Sequence, residues 1–466
     1  MRLLLILSLL SGIASAQHDS LYDTDRLPAS FHKGRRNAFR NLMDSGSVAF
    51  FFSNPVRQRA NDVEYVYHQD PNFYYMTGYL EPDAVLIIFR DKIVIDSIET
   101  NELIFVQPRN PDDESWEGKR IGVDGARSKL GFEYALNNFD FQNLKLNYTK
   151  FKKIYHPYFY NDTRDDPYNP GDLYSLIKIF NEKTEKIKDR KDYLSHYKIC
   201  AQLREIKQPE EMKLLRKAID ISVKGHLELM RNFKPGMKEY QAQALVEFGF
   251  RFNGAEFEGY PSILGGGENS CILHYITNRK KLLKNEMLVC DAGAEYHGYT
   301  ADITRTLPVD GIFSIEEKSL YNIVLSAQEA GIKACKKNNN FRAPHLAAVE
   351  IIKKKLMELG VTKNEEEYIR YFFHGTSHYL GLDVHDAGTN GRLKPGNVIT
   401  VEPGIYIPEG SPCDKKWWNI GIRIEDDVLI TENEPEVLSG TLPKKVEDIE
   451  RIMSEGNNKT KELKKD

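Results

Sequence analysis

Two aspartates set into sequence that otherwise reads as strand restrict this chain more than any other feature. The stretch is MLVCDAGAEYHGYTADITRT, residues 287–306. Met287, Leu288, Val289 and Cys290 form an apolar run suited to a sheet core, and Asp291 ends it. Asp302 follows a glycine-containing turn. A carboxylate in apolar surroundings is costly to keep ionised unless something holds its charge. A hairpin turning over Glu295-Tyr296-His297-Gly298, with Gly298 supplying a positive φ, would pair Asp291 directly with Asp302 on one sheet face.

Two glutamates repeat the pattern. Glu402 lies in NVITVEPGIYI and Glu425 in IGIRIEDDVLIT, both read as strands and joined by a loop containing Pro412 and Asp414. A single strand carboxylate is ordinarily exposed or ion-paired. Four in apolar strands are harder to place: Arg305 and Arg423 can neutralise two, but not the set. Two divalent cations supply the balancing charge. An oxygen-rich site suits a hard ion such as Mn2+ better than it suits structural zinc. A dinuclear metal centre is therefore expected.

Histidines gather nearby in sequence. HGTSHYLGLDVHD holds His374, His378 and His385, and His274 follows GGGENSCIL. His374 and His378 are four apart, but the intervening Gly-Thr-Ser forms helix poorly and lacks the glutamate of an HExxH site. One histidine as ligand, with the others beside it as acid or oxyanion partners, is the economical arrangement.

Composition bears on what surrounds such a centre. The chain of 466 residues is long enough for two or three domains. Its net charge of −4 and pI near 6.4 give no global basic field, so nucleic acid is not an expected partner. Lys353-Lys354-Lys355 reads as a solvated helix face. The 5 cysteines form no CxxC pair, and Cys290 is expected as a buried core residue. At the N-terminus, Arg2, the apolar run Leu3–Leu10 and Ala14-Ser15-Ala16 read as a secretory signal peptide cut after Ala16. That run is too short for a hydrocarbon core of about 30 Å, and no later stretch is a candidate span, so an exported protein without an integral membrane segment is expected.

Residues 20–190 are mixed α/β in pattern. SVAFFFS and DAVLIIFRDKIVI read as buried strands, and ASFHKGRRNAFRNLMDSG reads as a helix closed by Gly46. Residues 145–195 read as loops and a polar helix. A long helix starts at Pro209, with Glu210 and Glu211 in its first turn. KSLYNIVLSAQEAGIKACK and HLAAVEIIKKKLMELG are further helices, alternating with the strands above. From residue 449 onward a polar tail is expected, frayed at GNNKTKELKKD.

Taken together, GGGENSCILHYITN, LVCDAGAEYHGYTADITRT, HGTSHYLGLDVHD, ITVEPGIYI and GIRIEDDVLIT resemble the pita-bread metallopeptidases, specifically the Xaa-Pro aminopeptidase (aminopeptidase P) family. They follow that family's order and spacing, QDPNFYYMTGYLEPDAVLII resembles its N-terminal domain, and the likeness spans roughly residues 25–445. It implies an α/β (α+β) protein: an N-terminal domain over 20–190 and a pita-bread catalytic domain over 196–448. It also implies Asp291, Asp302, His378, Glu402 and Glu425 as ligands of two metal ions, with Mn2+ expected. By the same resemblance His274, His374 and His385 face substrate, while Arg423 and Tyr406 lie near the bound proline.

The activity so implied is release of the N-terminal residue from peptides with proline second. A hydroxide bridging the metals attacks, and Glu402 passes its proton to the leaving proline nitrogen. The partners are then Xaa-Pro peptides, with room for a homo-oligomer. Two alternatives share the fold: a prolidase limited to Xaa-Pro dipeptides, and a non-catalytic pita-bread binding protein.

Overall fold

The computed structural model describes residues 23–462; the expected signal peptide, residues 1–16, lies outside them. The chain divides into two compact units, one up to His196 and one from Tyr197.

In the first unit a six-stranded sheet runs in the order Ala135–Asn137, Ile98–Val106, Val85–Ile95, Ser47–Phe52, Lys153–Tyr155, Lys191–Asp192. The strand Ser47–Phe52 is buried along its whole length because both sheet faces are covered. Val48, Phe50 and Phe52 join one apolar cluster with Ile87, Phe105 and Phe180. On the other face Phe51 packs edge-on against Phe39 of the helix Ala29–Leu42, ring centroids 5.0 Å apart. The strands Val85–Ile95 and Ile98–Val106 form a hairpin through Asp96 and Ser97, both at positive φ (47° and 68°).

Two expectations for this unit need correction. The first helix ends at Leu42, and Gly46 (φ 72°) instead turns the chain into the following strand. Residues 145–195 are more than loops and a polar helix. Lys153–Tyr155 pairs in parallel beside the buried strand, and the helix Leu173–Thr184 buries Leu173, Leu176 and Phe180. The sheet supplies what short local patterns lack: partners for a strand of three residues.

The second unit sets helices around several short ladders. Pro209–Asn232 starts with proline at N1 and a Gln208–Glu211 capping box. It packs against Glu239–Phe252, and the backbones meet where a Cβ on Gly249 would lie 2.5 Å from Gly225 Cα. Ile315–Ala334, capped by Ser314 and Glu317, packs against Ala343–Glu358. Lys353 of the latter pairs with Glu350 and Glu365, as suits a solvated face. Residues 449–462 of the segment expected as a tail lie within a helix, Val446–Glu462, that buries Ile449, Ile452 and Met453 and packs on Pro209–Asn232. The short amphipathic stretch was masked by the polar residues after it. All 5 cysteines are free thiols, and Cys290 is fully buried. No helix among the described residues is long and apolar enough to cross a membrane.

Charge is also buried in this unit, in pairs. Asp386 receives a hydrogen bond from Lys207 Nζ at 2.7 Å and is paired with the Arg204 guanidinium, all three side chains being nearly inaccessible. Burial opposes the Asp386 charge, but Arg204 and then Lys207 outweigh it and hold its pKa below the usual range. A depressed folded-state pKa contributes stability above the unfolded value of about 4, lost as pH falls toward the folded value. Asp386→Asn should therefore cost about 3–5 kcal/mol at pH 7, with a smaller penalty near pH 3. Urea unfolding at both pH values checks this; an equal cost at the two would show that the ion pairs contribute nothing.

Candidate metal centre

The strand Met287–Asp291 pairs antiparallel with Thr304–Pro308, and the register places Asp291 opposite Thr304. Asp302 therefore does not face Asp291 directly as expected. The hairpin turns over two residues, His297 and Gly298, both at positive φ (49° and 85°), rather than over four. The register moves by two positions, and side chains alternate with period two, so both aspartates still share a face. The Tyr260 hydroxyl proves the convergence, lying 2.6 Å from Asp291 Oδ1 and 2.5 Å from Asp302 Oδ1. Gly293 lets the chains come this close: a Cβ there would sit 1.8 Å from Ala301 O and 3.2 Å from Asp302 N.

Glu402 and Glu425 sit at breaks in strands, not within them. The ladder of Val398–Val401 with Asp426–Leu429 ends at the pair Val401↔Asp426, and a second ladder resumes at Gly404↔Arg423. In the gap, Pro403 has no N–H to donate, which suits the interruption. Both glutamates take the first positions past the end of the first ladder, one on each chain, and so reach the same space. Thr304 pins Glu425 twice: its Oγ1 donates to Glu425 Oε2 at 2.7 Å, and its carbonyl accepts from Glu425 N–H at 3.1 Å.

His378 closes the cluster. Its Nδ1 lies 3.0 Å from Tyr379 O and serves as the donor there, which leaves Nε2 to face Asp302 Oδ2 at 3.4 Å and Glu402 Oε1 at 3.6 Å. One atom each of Asp302, His378 and Glu425 falls within 4.8 Å of the others, compact enough to share an ion. The five residues expected as ligands are thus brought together: Asp291 through Tyr260, and Glu402 through His378.

The electrostatics show what the cluster lacks. Burial, reinforced by neighbouring carboxylates, raises the pKa of Asp302 and lifts that of Glu425 well above the usual range. Glu402 is pushed up to about 7, above all by burial. Burial opposes the charge of His378, yet Asp302 and Glu402 outweigh it and raise its pKa to about 9. Only Asp291 is lowered: burial disfavours its charge, but Arg423 Nη2 at 2.6 Å prevails. A single arginine for four carboxylates leaves room for further positive charge, and the oxygen-rich donor set with one imidazole fits divalent cations. Arg305 is not part of this balance; it pairs with Asp426 at 2.7 Å, which is held also by Lys444 and Gln328.

Beside the cluster a relay of hydrogen bonds runs outward. Arg423 Nη1 donates to the Tyr406 hydroxyl at 2.9 Å, which lies 3.0 Å from His374 Nε2. His374 Nδ1 is 2.7 Å from Gly375 O, so the ring is neutral with its proton on Nδ1. Burial, then Arg423, lowers its pKa to about 4, in agreement. His385 is exposed and stacks edge-on against His378, ring centroids 4.5 Å apart. His274 is exposed as well, and the pKa of His385 is lowered by burial and then by the nearby His378.

Four polar residues of the site were not foreseen. Thr304, Thr400 and Asp427 stand two positions from Asp302, Glu402 and Glu425, so strand alternation alone signals them. Thr400 Oγ1 accepts from His378 N–H at 3.2 Å, and Asp427 Oδ2 accepts from Asp302 N–H at 3.3 Å. Tyr260 lies 31 residues before Asp291 and carries no such signal.

Comparison with known proteins agrees with this geometry. Residues 213–432 match metallopeptidase family M24, and residues 32–155 match the aminopeptidase P N-terminal domain. The Xaa-Pro aminopeptidase of Escherichia coli (strain K12) is 35% identical over 435 residues, spanning 90% of this chain and 96% of that protein. The mitochondrial intermediate cleaving peptidase 55 of Arabidopsis thaliana is 32% identical over 427 residues, spanning 90% of this chain and 82% of that protein. A solved structure of zinc-substituted E. coli aminopeptidase P in complex with product has a TM-score of 0.83 at 33% identity, covering 92% of this chain and 99% of that one. Its fold is an N-terminal domain followed by a pita-bread domain, and the chain belongs to metallopeptidase family M24, as a metal-dependent aminopeptidase of the aminopeptidase P type.

Proposed function

We propose that this enzyme releases the N-terminal residue from peptides whose second residue is proline, using two divalent cations held by Asp291, Asp302, His378, Glu402 and Glu425. One observation carries the reading: four carboxylates and an imidazole converge in a buried site with a single arginine among them. Homologues named for Xaa-Pro cleavage support the substrate class. When bound, the cations supply Lewis acidity that activates water and neutralises a developing oxyanion. Mn2+ is our choice for an oxygen-rich set, though a zinc-substituted relative exists.

The chain's own residues do the rest. Asp302 and Glu425 present oxygens on either side of the cluster, and Asp291 is oriented by Arg423 and Tyr260. Glu402 is placed to take a proton from water and return it to the leaving nitrogen. Arg423, Tyr406 and His374 form a rigid wall for the proline ring, whose tertiary nitrogen offers no N–H to grip. His274 and His385 stand at the exposed edge, where the substrate carbonyl and the tetrahedral intermediate come within reach. The leader pattern at residues 1–16 supports export, and a mature N-terminus at Gln17 is expected on sequencing.

Glu402→Gln keeps the shape and one oxygen donor but loses the basicity. Turnover of an Xaa-Pro-Xaa peptide should drop by at least roughly 10²-fold, with KM changed much less. Turnover near wild type would remove Glu402 from proton transfer.

Cation binding must displace protons. His378, its pKa raised to about 9, holds a proton at neutral pH before an ion binds, so binding releases it and weakens as pH falls. Calorimetric titration of chelator-treated protein with Mn2+, in buffers of different ionisation enthalpy, should show net proton release at pH 7. Binding without proton release would mean that His378 is not a ligand.

A further inference from the structure

A second concavity adjoins the site, wholly within the catalytic unit. It has a volume of about 350 Å3 and is walled by Phe341, Tyr368, Ile369, Phe372, Phe373 and His374. Part of its lining is polar: Arg342 and His345 border it, and His345 Nδ1 lies 2.9 Å from Thr376 Oγ1. At its mouth Ile369 and Phe373 are 61% and 54% exposed, which no core packing explains.

The cavity borders the reaction centre through His374. His374 lines it while its Nε2 meets Tyr406, and the Phe373 ring lies 5.7 Å from the Tyr406 ring. Phe372 stands edge-on to His374 at 5.1 Å. Thr376, whose side chain lines the cavity, accepts the Glu402 backbone N–H through its carbonyl at 3.0 Å. Of the wall assigned to proline only His374 borders it, while Tyr406 and Arg423 do not, so it lies beyond that wall.

We propose that this cavity receives the side chain of the peptide residue that follows proline, and that it selects an apolar or aromatic side chain there. The proposal rests on the peptidase reading above. The lining contains no carboxylate, so it does not match the free amine of the substrate, which the carboxylate cluster suits. Proline is matched by Tyr406 and Arg423. No residue of the carboxylate cluster, beside which the N-terminal residue and its side chain would sit, lines the cavity, so the chain continuing past proline is what reaches it, and the space accommodates one large side chain against four aromatic rings.

The test is kcat/KM for the series Ala-Pro-Yaa-Ala, with Yaa as Phe, Leu, Gly or Asp, in wild type, Ile369→Ala and Phe373→Ala. Wild type should favour Phe and Leu over Gly by about 10-fold or more. Each variant should bring the Phe-to-Gly ratio several-fold closer to one, chiefly through KM. Both positions are more than half exposed, so folding is not at stake. Equal values for all four peptides in wild type, or a ratio unmoved in both variants, overturns the cavity assignment while leaving the peptidase reading intact. Failure to release alanine from any of the four would instead overturn the peptidase reading and the cavity with it.

Discussion

Like charges crowded into a largely buried site are the constraint on which the catalytic unit depends. Two carboxylates about 4 Å apart repel by about 4 kcal/mol at an effective dielectric of about 20. Asp302 and Glu425 come within 4.8 Å of each other, against a folding stability that is typically about 5–15 kcal/mol for a whole domain. Burial and the neighbouring carboxylates raise the pKa of Asp302 and Glu425, and the carboxylates Asp302 and Glu402 raise that of His378 against its burial. Such a site is poised for cations, whose binding then adds to stability as well as to chemistry.

Neighbouring groups keep the cluster in place before any ion arrives. Arg423 reaches Asp291, Tyr406 and Thr304 at once, joining the carboxylates to the wall beside them. Behind Glu425, the buried Asp426 is fixed by Arg305, Lys444, Gln328 and Ser439. Consecutive acidic residues thus take opposite roles because strand side chains alternate: one points at the site, the next into a fully paired core network. Removing one partner from such a network leaves an uncompensated buried charge, which is why its members act together.

Breaks in regular structure matter as much as the ladders. Pro403 ends one ladder where Glu402 must leave it, and Gly293 admits a backbone contact that any side chain would block. His297 and Gly298 close the hairpin with two left-handed residues, and this tight turn sets the register of both aspartates. These local features hold donor atoms of separate strands to within hydrogen-bond distances, the tolerance that positioned chemistry requires.

Much of this was legible in the residues alone. Apolar runs interrupted by Asp291, Asp302, Glu402 and Glu425 marked strands with charges to be held, and the family resemblance named the five donor residues. Period-two alternation made the choice of face robust, so an error of two positions in the hairpin register left the site unchanged. Folding alone decided which charges meet. Arg305 and Arg423 were equivalent candidates in sequence, yet one turns to Asp426 and the other to Asp291. Tyr260, far along the chain, lies between both aspartates, and the helix Val446–Glu462 became visible only where another helix covers its apolar side. Local pattern specifies the period and face of an element; which distant group satisfies a buried charge or apolar stripe is settled by contacts between chain segments that no local window contains.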